Sequence, residues 1–196
     1  MKKRLRTAVI AVILLVLAAS LLYCFPAEQL PAPLRPVAEV VKTAVHAVKN
    51  QIDPQPEASE VLYPVLWVYD GDTILVRVDE KDVTVRMIGI DAPESVHRDE
   101  TKNTPEGETA SAWLKEFLKG KSVALEYDRE TTDQYGRTLA YVYADGELVE
   151  DALLKAGMAR VLILEPNNKY EKHLEACEKE AQRSGAGFWG TGFFAD

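Results

Sequence analysis

The sequence predicts a small β-barrel with helices, an α+β domain, on three observations. Five short runs rich in β-branched and aromatic residues are separated by turn signals, helical patterns are interposed between some of them, and no long strand–helix–strand alternation is present. A doubly wound parallel sheet would need that alternation.

The runs follow in order. Residues 61–69, 74–78 and 83–90 alternate as strands, with Asp79-Glu80-Lys81-Asp82 as the turn between the second and third. A helix is expected from Pro105 and Glu106, burying Ala110, Trp113, Leu114, Phe117 and Leu118 and ending at Gly120. Strands are expected at 122–127 and 139–143, and Asp145-Gly146 supplies the next turn. Residues 147–156 read as a helix stopped by Gly157. A last helix spans 169–183, with Tyr170, Leu174, Cys177 and Ala181 on one face and Gly185 after its end.

The 196 residues allow one well-packed domain with an appendage. Lys2, Lys3, Arg4 and Arg6 precede an uncharged apolar run over residues 7–25, the pattern of an export signal or a retained N-terminal anchor. Both readings send the remainder out of the cytoplasm, as a secreted or membrane-anchored protein. Residues 1–25 are therefore assigned to a signal peptide or signal anchor and 26–60 to a proline-containing spacer with a short amphipathic helix. Residues 61–190 form the folded domain and 191–196 a tail.

The net charge is −8, and residues 61–196 carry 16 Lys and Arg against 26 Asp and Glu. A protein that holds nucleic acid through a broad basic face would show the opposite sign. Contact with nucleic acid, if made, is local, which suits a cutting enzyme better than a tight binder. Cys177 is the one thiol outside the N-terminal run, so no disulfide framework is available there; it reads as a small buried hydrophobe. His46, His97 and His173 fall at unrelated positions and are given ordinary surface or packing roles.

Asp72, Arg86, Asp91, Glu94 and Arg137 each stand in or beside a turn. Carboxylates can hold a hard cation and activate water, while guanidiniums neutralise a phosphate, so the set points to metal-assisted phosphodiester cleavage. Gly71 permits the tight turn that brings Asp72 inward. Arg86 and Asp91 are five apart and would face opposite sides of a regular strand, but Pro93 indicates that the chain has already turned. Carboxylates gathered at strand ends repel one another unless a cation compensates them.

These residues closely resemble the staphylococcal-nuclease-like (thermonuclease) family. The resemblance covers residues 61–189 and rests on Tyr69-Asp-Gly-Asp-Thr73, Arg86, Gly89-Ile-Asp-Ala-Pro-Glu94, Asp133-Gln-Tyr-Gly-Arg137, Ala140-Tyr-Val-Tyr143 and Pro166-Asn-Asn168. It implies a five-stranded OB-fold barrel flanked by three α-helices. By position it implies Asp72, Asp91 and the main-chain carbonyl of Ala92 as ligands of Ca2+, with Glu94 as general base and Arg86 and Arg137 as the phosphate clamp. Tyr135 is the implied contact to the nucleotide's terminal phosphate. DNA is the implied substrate, with RNA left open, and the products would carry 3′-phosphate ends; the protein is taken as a monomer. Gln134 replaces a lysine of the best-known member, and Leu162 and Leu164 replace tyrosines that pack the base, so affinity and base preference stay open. The rival reading is a catalytically silent barrel that binds nucleic acid or protein at the membrane surface.

Overall fold

The computed structural model describes residues 35–37, 39–40, 43, 61–96 and 103–194. Two compact units divide the chain at residue 54. In the first, the described residues are helical, and Thr43 Oγ1 donates to the Glu39 carbonyl at 2.9 Å. Among the described residues no helix is long and apolar enough to cross a membrane. The apolar run at 7–25 lies outside them, as do residues 97–102.

In the second unit, β1 (Tyr63–Asp70), β2 (Thr73–Val78) and β3 (Lys81–Met87) form an antiparallel meander. The β2–β3 turn is tighter than the sequence predicts: Asp79 and Glu80 alone make it, at φ 44° and 65°. Positive φ at both central residues matches the twist of the flanking strands. β5 (Ser122–Glu126) pairs with β1 and with β6 (Thr138–Ala144), and β6 pairs in parallel with β3. The ring β1–β2–β3–β6–β5 thereby closes into the expected five-stranded barrel.

Ile74, Val76, Val85, Val123, Ala140 and Val142 are fully buried and fill the interior. Each large aliphatic side chain contributes about 1.5–3 kcal/mol there. Helix α1 (Pro105–Phe117) buries Ala110 and Leu114. It starts where Thr104 Oγ1 accepts from the Gly107 N–H at 3.0 Å and Pro105 takes a position whose N–H needs no helical partner.

Three expectations change. The third strand does not continue to Ile90. It stops at Met87, whose N–H donates to the Asp72 carbonyl at 2.9 Å; the chain turns through Gly89 at φ 85° and re-forms as β4 (Ile90–Asp91). β4 pairs with β8 (Arg160–Val161). Glu147 and Leu148 are a short strand, β7, hairpinned onto β6, so helix α2 spans only Val149–Lys155. Beyond α3 (Glu171–Ser184), a four-residue helix α4 (Phe188–Thr191) packs Phe188 against Phe193 and Phe194.

Two consecutive carboxylates of α2 are buried. Glu150 accepts from the Val142 N–H with both oxygens, at 3.1 and 3.3 Å, and burial holds its carboxyl well above the ordinary value of 4.5. Its folded pKa exceeds the unfolded one, so folding takes up a proton. Stability from this group is full below the unfolded value and is lost as pH rises toward the folded value. Glu150→Gln keeps an acceptor and removes that dependence. The variant is expected to be more stable than wild type at pH 8, with the two urea midpoints converging near pH 4; a midpoint lower than wild type at pH 8 contradicts a neutral Glu150.

Candidate active site

The site is assembled where the β1–β2 turn meets the end of β3. Asp72 is buried, and every polar atom of its carboxylate is engaged. Oδ1 accepts from Thr73 Oγ1 at 2.9 Å; Oδ2 accepts from the Ala92 N–H at 3.0 Å and pairs with Arg86 Nη1 at 2.7 Å. Burial pushes this carboxyl up from its usual range, against the opposing pull of Arg86 and the Ala92 N–H. Arg86 reaches Asp91 Oδ1 with its other terminal nitrogen, at 3.5 Å. One guanidinium therefore joins the two carboxylates read from the sequence, even though Arg86 and Asp91 have opposite strand parity, because Gly89 turns the chain between them.

Glu94 is exposed on the loop that continues from Asp91, and its carbonyl accepts from the Thr104 N–H at 2.9 Å. Arg86 and Arg137 line one cleft of about 620 Å³, together with Gln134, Leu162 and Leu164. Arg137 is fastened through Nε to Asp133 Oδ2 at 2.7 Å. The other Asp133 oxygen accepts the N–H groups of Tyr135 and Arg137, both at 2.9 Å. These contacts with Arg137 and Tyr135 outweigh desolvation and hold the Asp133 carboxyl below its usual range. Tyr135 is exposed, with Arg137 Cζ 5.6 Å from its ring centroid.

Sequence reasoning missed several supports. Asp70, to which the sequence analysis gives no role of its own, is buried and accepts from Ser95 Oγ at 2.8 Å and from the Ser95 N–H at 3.3 Å. The signal was present, because Asp70 and Asp72 flank one glycine in a turn between apolar strands. Arg160 holds Asp91 Oδ2 through Nη2 at 3.1 Å and Nε at 3.2 Å. No local signal marks it, since it arrives through the β4–β8 pairing.

Glycines set the loop's position. A Cβ on Gly71 would stand 2.6 Å from Ala92 Cβ, and one on Gly107 would stand 2.1 Å from the Glu94 carbonyl oxygen. The second is a backbone clash that no rotamer change relieves.

A closed OB-type barrel carrying paired carboxylates on one arginine, beside a cleft with a second arginine, defines a small barrel enzyme of the phosphodiesterase type in its chemistry. The Staphylococcal nuclease homologue family matches residues 84–191, and the chain belongs to that family. It is 43% identical over 132 residues to a thermonuclease from Staphylococcus hyicus, covering 67% of this chain and 78% of that protein. A thermonuclease from Staphylococcus intermedius is 45% identical over 127 residues, 65% of this chain and 75% of its own. Endonuclease YncB from Bacillus subtilis (strain 168) is 42% identical over 122 residues, 61% of this chain and 57% of its own.

Gly107→Ala tests the seating of the Glu94 loop. Overpacking against that carbonyl is expected to destabilise the domain by about 1–3 kcal/mol. Nuclease activity is expected to fall further than the folded fraction does; an unchanged urea midpoint shows that the α1–loop contact is not tight.

Proposed function

We propose that this nuclease of the staphylococcal nuclease homologue family is a calcium-dependent endonuclease that cuts DNA with little sequence preference and leaves 3′-phosphate ends. The observation that carries the reading is the convergence of Asp72 and Asp91 on Arg86, which lines one cleft with Arg137, although the two carboxylates do not themselves line it. The relatives named thermonuclease and endonuclease support the reaction class.

The residues fit a hard cation. Asp72 Oδ2 and Asp91 Oδ1 approach the two ends of one guanidinium, and the Asp70 carboxylate adds a further negative charge that raises the Asp72 carboxyl. Such an all-oxygen set suits Ca2+, which Asp72, Asp91 and the Ala92 carbonyl would hold. When bound, Ca2+ supplies positive charge to the phosphate and to the attacking water.

The chain's own groups do the rest. Arg86 and Arg137 present planar forks to the phosphate oxygens, and those contacts strengthen as water adds and negative charge grows. Arg137 is aimed by Asp133 through Nε, which leaves its Nη donors for the anion. Glu94, exposed on the loop that continues from Asp91, takes the proton from the water as the P–O bond forms and the 5′ oxygen leaves. Tyr135 reaches the terminal phosphate. Leu162 and Leu164 give the cleft an apolar lip where a base can rest, and Gln134 offers hydrogen bonds in place of a charge. RNA fits the same chemistry as a secondary substrate.

We place this activity outside the cytoplasm, in a monomer exported by its basic and apolar N-terminus and held at the membrane where that segment is retained. The test is digestion of single- and double-stranded DNA by the full chain, with calcium and with chelator, alongside Glu94→Gln, Arg86→Ala and Arg137→Ala. Each substitution is expected to lower the calcium-supported rate by about 10² or more. Cleavage that ignores chelation, or full activity in Glu94→Gln, overturns the assignment.

A further inference from the structure

Helices α2 and α3 bring together three side chains that do not line the cleft and have no part in the proposed reaction. His173 and Cys177 are four residues apart on α3 and so share one face. Asp151 comes from α2, and its Oδ2 lies 2.7 Å from His173 Nε2, while Cys177 Sγ lies 4.0 Å from the same nitrogen. One ligand atom from each residue falls within 4.8 Å of the others. The sequence gives Cys177 a packing role and His173 a surface or packing role and does not single out Asp151, because the pairing of two helices, not a linear spacing, assembles them.

We propose that Asp151, His173 and Cys177 form a second metal site, selective for Zn2+ or a similar transition metal over Ca2+, that bridges α2 and α3. The donor set decides the class: an imidazole nitrogen and a thiolate favour a borderline-soft ion, whereas calcium takes oxygen alone. Geometry agrees with that. Tetrahedral bonds of about 2.0–2.3 Å put neighbouring ligand atoms roughly 3.3–3.8 Å apart. The observed 2.7 and 4.0 Å bracket that range, so small side-chain rotations reach it.

A second observation stands apart from the cluster's shape. Asp151 is only 7% exposed, and its Oδ1 is buried without a hydrogen-bond partner. An unengaged carboxylate oxygen in a low-dielectric setting is costly, and a cation on that carboxylate offsets the cost. Lys155 Nζ stands 3.5 Å from Oδ2, and its side chain is half exposed, so it can withdraw into solvent when a metal takes its place. His173 Nε2 and the Cys177 thiol give up their protons on binding. The ion would cross-link two helices already packed on each other.

The experiment uses the full chain in a Cys24→Ser background, where Cys177 is the only thiol, after treatment with chelator. Zn2+ is titrated against a chromophoric competitor, and Co2+ is added separately as a spectroscopic probe. The expected results are one tight equivalent of Zn2+, a thiolate-to-cobalt charge-transfer band, and a Zn2+-dependent rise in Tm. His173→Gln and Cys177→Ser are each expected to weaken Zn2+ binding at least about tenfold, the scale on which even outer-shell partners act. No thiolate band with Co2+ overturns the proposal without recourse to any further variant, as does Zn2+ binding unchanged in Cys177→Ser. A Zn2+ equivalent retained in both variants would belong to the oxygen cluster at Asp72 and Asp91, and overturns it equally.

Discussion

The ion pair between Asp72 and Arg86, 2.7 Å long and largely withdrawn from solvent, is the contact on which the rest of the site hangs. Removing one partner of such a pair leaves a buried charge and costs about 3–5 kcal/mol, whereas an apolar pair of similar volume would pack at least as well. Stability alone does not account for it. The pair ties the β1–β2 turn to β3, and the same Asp72 carboxylate holds the Ala92 N–H. Asp70, two residues earlier, holds Ser95. Two carboxylates of one turn thus clamp the residue after Asp91 and the residue after Glu94, and Gly71 between them lets Ala92 and Ala110 close in. The loop that presents Asp91 and Glu94 is fixed at both ends by the turn that supplies Asp72.

Charge is distributed in a way that separates cutting from holding. Residues 61–196 carry ten more acidic than basic groups, and even the cleft sets Glu130, Asp133 and Glu165 beside Arg86 and Arg137. Both guanidiniums are already committed to carboxylates, Asp72 and Asp91 for one and Asp133 for the other. Pre-pairing costs affinity for an incoming phosphate, because the anion must compete, but it orients each fork before substrate arrives. A broad basic face would bind more tightly and release product more slowly.

Helix α2 solves the same problem of buried acid twice, in two ways. Glu150 is fully buried, and burial favours its protonated form by raising its carboxyl well above the ordinary range. Asp151, the next residue, faces α3, where the hydrogen bond with its carboxylate pushes His173 up to about 10. Adjacent residues on a helix point about 100° apart, so one carboxylate meets the barrel's β6 backbone and its neighbour meets the other helix.

The sequence by itself determined the strand runs, the helix from Pro105 and the barrel class, and it singled out Asp72, Arg86, Asp91, Glu94 and Arg137 as candidates. Each is written in local pattern: β-branched alternation, turn glycines and prolines, and charged residues set against apolar runs. It put Arg86 and Asp91 on opposite faces of a regular strand and expected a turn by Pro93, whereas the chain breaks earlier, at Gly89. What tertiary structure alone decided is how these groups meet. The break at Gly89, the β4–β8 pairing that delivers Arg160 to Asp91, and the α2–α3 packing that joins Asp151 to His173 and Cys177 all depend on contacts between segments distant in sequence. Glu147 entered a strand against its local helical pattern because β6 offered it a hairpin partner at Ala144. Local patterns state what a segment can form; pairing across the barrel and between helices selects among those options, because backbone hydrogen bonds and buried charges must all be satisfied at once.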